Sequence, residues 1–95
     1  MTQFVVRGEV VPFGSGQHNI RVQNAKELRE FWTRERIDTL LDWAGEPPLV
    51  TISAQSFVSR CQPGDEVEYV IEAFDRADGR RIRGVDLRIV RPAQR

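Results

Sequence analysis

Residues 66–91, EVEYVIEAFDRADGRRIRGVDLRIVR, alternate apolar and charged side chains in two runs on either side of Ala77-Asp78-Gly79. A period of two puts the apolar residues on one face of a strand and the charges on the other. The segment therefore reads as a long β-hairpin whose apolar side must be covered. Its register follows from keeping the two faces unmixed. A two-residue Asp78-Gly79 turn would pair Tyr69 with Arg88 and Ile71 with Asp86. A three-residue Ala77-Asp78-Gly79 loop, with Gly79 left-handed in a bulge, instead pairs Val67 with Ile89, Tyr69 with Leu87 and Ile71 with Val85. The second register is the expected one, and it also sets Glu68 against Arg88.

The same reasoning organises the rest of the chain. QFVVRGEVVP (3–12) and HNIRVQ (18–23) read as two strands around the loop Phe13 to Gln17, with Val10 facing Ile20, Gly8 facing Val22, Glu9 facing Arg21 and His18 opposite Pro12. Asn24 followed by Glu27 has the form of an N-cap with a carboxylate reaching back to it, which starts a helix at Ala25. Leu28, Phe31 and Trp32 share one face of it, but Ile37, Leu40, Leu41 and Ala44 lie about half a turn of rotation away. The helix is thus expected to bend near Glu35 to Asp38, with Asp38 capping a second short stretch that ends at Gly45 and Pro47-Pro48. LVTISAQSFVSRC (49–61) reads as a strand with Val50, Ile52, Ala54 and Val58 on one side and a bulge near Gln55, and Pro63-Gly64-Asp65 turns the chain into the hairpin. The order ββαβββ over a single domain, 1–95, with 92–95 as a frayed tail, defines an α+β fold. Its expected form is a five-stranded curled antiparallel sheet or small barrel with one bent helix.

A chain of 95 residues buries roughly two-thirds of its unfolded surface, which leaves little room for an enclosed substrate cavity unless two copies share one. No apolar run approaches the roughly 20 residues of a membrane helix. The start, MTQFVVRGEVV, lacks the pattern of a secretory signal, so the cytoplasm is the expected compartment. Cys61 is the only cysteine and His18 the only histidine, so neither an internal disulfide nor a Cys/His metal cluster is expected. Basic charge is thirteen Arg against the single Lys26, and it is polarised. Residues 1–75 carry seven basic and twelve acidic groups, and residues 76–95 carry seven Arg and two Asp.

The stretch QPGDEVEYVIEAFDRADGRRIRGVDL, with the segment from Leu49 onward, resembles the strand, Pro-Gly-Asp turn and hairpin of hot-dog-fold dehydratases. That resemblance implies a dimer and an acyl-thioester ligand. The same hairpin, together with FVVRGEV, is similar to single-stranded-DNA-binding OB domains, which would imply a nucleic-acid ligand. The helix after the second strand departs from the OB order. A His-containing loop before the helix, as in the dehydratases, is absent.

GSGQH lacks the third glycine of a dinucleotide fingerprint and the Gly-Lys-Ser/Thr of a P-loop, and it joins two strands instead of opening a helix. Ser15 and His18 have no nominated carboxylate or oxyanion hole beside them. Of Asp65, Glu66, Glu68, Glu72 and Asp75, most face the arginine strand, and Asp75 with Asp78 lacks the further ligands of a calcium loop. No catalytic residue, metal site or cofactor is therefore assigned. The expected function is that of a non-catalytic binding protein acting through a protein surface, as an inhibitor, immunity-type partner or accessory subunit. Its partner would be another protein or a second copy, and Phe13, Trp32, Trp43 and Phe57 are the candidate contacts. One alternative is an OB-like single-strand binder in which Arg76, Arg80, Arg81, Arg83, Arg88 and Arg91 track phosphates and Phe74 stacks on a base; the other, implied by the hot-dog resemblance, is an acyl-thioester binder or enzyme.

Overall fold

The computed structural model describes residues 2–14, 16–38, 49–52 and 54–93. The elements are β1 (Gln3–Phe13), β2 (Gln17–Val22), α1 (Ala25–Arg34), β3 (Leu49–Ile52), α2 (Gln55–Val58), β4 (Glu66–Arg76) and β5 (Gly79–Arg91). All five strands pair antiparallel in the order β3-β2-β1-β4-β5, an open sheet that does not close into a barrel. Alternation along the strands creates one buried face. Val6 and Val10 of β1, Ile20 and Val22 of β2, Val50 and Ile52 of β3, Val67, Tyr69 and Ile71 of β4 and Leu87 of β5 meet Leu28 and Phe31 of α1 there. Phe31 is fully buried, and its ring stacks on Phe4 at 5.1 Å between centroids.

The β1–β2 register is the expected one, with Gly8↔Val22, Glu9↔Arg21, Val10↔Ile20 and Pro12↔His18. The ladder runs one pair further, to Phe13↔Gln17, so the connection is shorter than the five residues expected. Asn24 corrects the capping assignment: its side chain makes no bond to the helix start. Instead its Oδ1 accepts the Arg7 N–H (2.9 Å) and its Nδ2 donates to the Val5 carbonyl (2.8 Å). Just before it, Gln23 N–H donates to the Arg7 carbonyl at 2.7 Å. The side-chain amide thus imitates one more peptide of β2 and satisfies β1 groups that β2 no longer reaches.

Helix α1 ends where a bend was expected, by a left-handed residue. Arg36 has φ 54°, the Ile37 N–H reaches back to the Trp32 carbonyl and the Arg36 N–H to the Thr33 carbonyl, both at 3.2 Å, a Schellman-type ending. Glycine is the favoured residue at this position, because a Cβ is crowded in the left-handed region. Arg36→Gly is accordingly expected to stabilise the fold by about 0.5–1 kcal/mol, read as a higher urea midpoint at unchanged slope. Asp38 is engaged by β5: its carboxylate accepts the Arg80 N–H, and its own N–H donates to the Arg80 carbonyl at 2.9 Å. The second helical stretch assigned to residues after Asp38 lies outside the described residues.

The segment after β3 departs from expectation. The strand stops at Ile52, and Gln55–Val58 form the single helical turn α2, so the order is ββαβαββ. This turn swings the Phe57 ring edge-on to Tyr69 (centroids 5.8 Å apart, 81° between planes), a contact that a strand continuing past Ile52 would not make. Ala54, expected on the buried side, is exposed. Next, Gln62-Pro63-Gly64-Asp65 forms a type II turn, with Gly64 at φ 97° and the Asp65 N–H donating to the Gln62 carbonyl at 3.1 Å. The buried Asp65 carboxylate accepts the N–H groups of Gln62 (3.0 Å) and Ala93 (2.7 Å). Ala93, assigned to a frayed tail, is therefore tied down.

The hairpin splits the expected register. Val67↔Ile89, Glu68↔Arg88 and Tyr69↔Leu87 hold as expected, but beyond Val70 the ladder shifts by one, to Ile71↔Gly84 and on to Arg76↔Gly79. The loop is therefore the two residues Ala77 and Asp78, and the extra residue sits in a bulge at Val85. That valine, expected on the buried face opposite Ile71, is 38% exposed.

Candidate interaction surface

Both helices lie on the buried side of the sheet, α1 through Leu28 and Phe31 and α2 through Phe57, and among the described residues no element covers the other face. Register fixes what that face carries. Val5 of β1 is paired with Val70 of β4, and Val85 bulges out of β5 beside Val70, so three valines form a row across three strands. Val5 is 40% and Val85 38% exposed. Polar and charged rows flank them, with Arg7, Glu68 and Arg88 at one level and Gln3, Glu72 and Arg83 at the other, and Glu9, Glu66 and Arg91 lie one level beyond the first. Val90 lies among Arg7, Glu66 and Glu68 and is 56% exposed.

The six arginines singled out by the sequence are each paired with a carboxylate. Arg91 meets Glu66 at 3.6 Å and Arg88 meets Glu68. Arg83 donates its Nε to Glu72 Oε2 at 3.0 Å, with Nη2 2.9 Å from the same oxygen, Arg81 meets Asp78 at 3.3 Å, and Arg76 meets Asp78 at 3.8 Å. Arg80 points to the helix side and bridges Glu35 of α1 (2.8 Å) and Asp75 of β4 (2.7 Å). Those Arg80 hydrogen bonds hold the Glu35 carboxyl below the usual glutamate range, and the two carboxylates raise the Arg80 guanidinium. Phe74 is half-buried, with the Arg83 guanidinium 5.0 Å above its ring.

The aromatic candidates do not assemble into one patch. Trp32 packs half-buried against the core, Phe57 is taken up by Tyr69 and by the Arg60 guanidinium 5.9 Å above its ring, and Trp43 and the Phe13 side chain lie outside the described residues. The contribution of valines was missed. Val5 and Val70 are ordinary members of alternating strands, and only the bulge, invisible to pattern, brings Val85 beside them.

Burial governs two of the groups that could carry reaction chemistry. Cys61 lines a depression of about 300 Å³ with Arg60, Gln62, Asp65 and Ile89, but burial pushes its thiol pKa up, away from thiolate character. Burial likewise raises the Tyr69 hydroxyl. His18 stands half-buried opposite Pro12 and Ile52, and its Nδ1 has no hydrogen-bond partner among the described residues. Ser15 lies outside them. No three of His, Cys, Asp and Glu converge as metal ligands among the described residues, and no described helix is long and apolar enough to cross a membrane. No family model, curated protein or solved structure matches the chain.

Proposed function

We propose that this chain is a non-catalytic protein-binding domain that works through the uncovered face of its sheet. The observation that carries the reading is the row Val5, Val70, Val85, exposed at Val5 and Val85 and half-buried at Val70, laid across three strands and bordered by charges that neutralise one another. An apolar centre with a polar rim is the anatomy of a protein contact. A single-strand nucleic-acid binder needs the opposite balance, because its affinity comes from neutralising phosphates. Each of the six arginines here already has a carboxylate beside it, so the strip offers phosphates little net positive charge. Two measurements test the reading together. Wild-type protein is expected to retain a protein partner from native extract and Val85→Asp to lose it, with the thermal transition of the variant unchanged. A labelled single-stranded oligonucleotide is expected to bind weakly with little salt dependence. Tight oligonucleotide binding that weakens steeply with salt would overturn it.

A further inference from the structure

We infer that the occupant of this face is a second copy of the same chain, packed face to face about a two-fold axis that runs parallel to the strands between β4 and β5. The inference rests on the protein-binding reading above and names its partner. The argument is one of symmetry. Along β4 the outer face carries Glu66, Glu68 and Val70; on β5, Arg91 and Arg88 stand at the first two heights, and Asp86, with Val85 bulging beside it, at the third. Rotation about an axis parallel to the strands keeps every height and exchanges the two columns. Each Glu68 then faces the partner's Arg88, each Glu66 the partner's Arg91, and each Val70 the partner's Asp86 level, where Val85 bulges out and the Asp86 carboxylate is turned to the Leu87 N–H. A partner of one charge sign, whether polyanion or polycation, would meet like charge on one of the two columns, whereas a two-fold copy matches both.

Reach and donor number allow it. Packed sheets lie about 10 Å apart, within the span of two facing side chains. A guanidinium has five N–H donors, more than its own glutamate can accept. The arginine side chains stand out, 71% exposed at Arg88 and 73% at Arg91, above glutamates at 26% and 36%. Glu72 is only 3% exposed and is held by Arg83 of its own chain, so the contact centres on Glu68, Val70, Val85 and Arg88.

Extension of the sheet at its β5 edge is the competing arrangement, and that edge is blocked at two places. Asp38 takes both the N–H and the carbonyl of Arg80. Arg60 donates to the Leu87 carbonyl at 2.6 Å, and the Leu87 N–H is turned to the Asp86 carboxylate at 2.9 Å. Seven residues of two strands give a footprint about 23 Å long, the small end of specific interfaces, so a micromolar dimer is expected.

Sedimentation velocity across roughly 5–500 µM wild-type protein should show a monomer–dimer equilibrium, and Glu68→Arg or Arg88→Glu alone should weaken it by roughly 30-fold or more. Mixing those two variants is the deciding step. In the heterodimer both inter-chain contacts become opposite-charge pairs, so association should return although neither chain has its internal pair. A wild-type monomer throughout, a dimer untouched by either reversal, or no recovery on mixing would each overturn the inference. Loss of self-association with retained, Val85-dependent capture of a different protein would overturn only the choice of partner. Steeply salt-dependent oligonucleotide binding would remove the protein-binding reading itself.

Discussion

Gly84→Ala is expected to lower stability by about 2–3 kcal/mol, a fall in the thermal midpoint of roughly 10–15 °C for a chain of this size. Gly84 lies opposite Ile71, at the step where the β4–β5 ladder shifts, and the Tyr69 side chain crosses directly over it. A Cβ built on Gly84 overlaps the Tyr69 hydroxyl and ring, with Cε1 at 2.7 Å. Tyr69 is 5% exposed and has Phe57 edge-on against its ring, so it has no room to retreat. The backbone of β5 would have to move instead, and the bulge at Val85 would move with it. Tyr69→Phe in the Gly84→Ala background should recover part of the loss, because it removes the hydroxyl overlap and leaves the ring overlap. Urea unfolding of the four members of that cycle reads the coupling directly. Additive losses would show that the two residues are not in contact. The same substitution bears on the surface, because Val85 owes its outward position to the register change that Gly84 permits.

That step also marks where the sequence stops being readable. Strand pairing was legible wherever one face had to stay apolar, because a slip of one residue would expose it: β1–β2 from Gly8 to Pro12, and β4–β5 from Val67 to Tyr69 with Glu68 on Arg88. Beyond Val70 two solutions kept the face apolar, one placing Val85 against Ile71 and one placing Gly84 there with Val85 expelled. Only the Tyr69 side chain lying over Gly84 chooses between them, and pattern does not encode such a contact. The turn α2 was hidden for a related reason. LVTISAQSFV alternates well enough for a strand, and what ends it is the Phe57–Tyr69 contact across the core. Asn24 and Asp38 show the limit of local signatures. Each sits where a cap is expected, yet each spends its side chain on a distant strand, where an unpaired backbone group is the greater need. Of the candidate surface, the acid–arginine columns were legible and the valine row was not.

Arg83→Ala should cost about 2–3 kcal/mol, more than the loss of any other cross-strand ion pair on this face. Exposed pairs such as Arg91–Glu66 contribute at most about 1 kcal/mol, since water serves each partner nearly as well as the other does. Glu72 differs. Its side chain is 3% exposed, between Gln3 of β1 and Arg83 of β5, and the Arg83 fork at 2.9 and 3.0 Å is what compensates its charge there. Removing the guanidinium leaves a carboxylate walled in by the sheet, and it also strips the cation from above the Phe74 ring. Because Arg83 itself is 54% exposed, water re-enters part of the gap, which holds the loss below that of a fully enclosed pair. Arg83→Lys keeps the charge without the fork and should fall between wild type and Arg83→Ala. Glu72→Ala combined with Arg83→Ala should be more stable than Arg83→Ala alone, since no charge is then left without a partner. Chemical denaturation at protein concentrations too low for self-association separates this effect from any change in dimerisation. If the double variant proved the less stable, Glu72 would be stabilised by something other than Arg83, and the face would carry a recessed negative charge available to a partner.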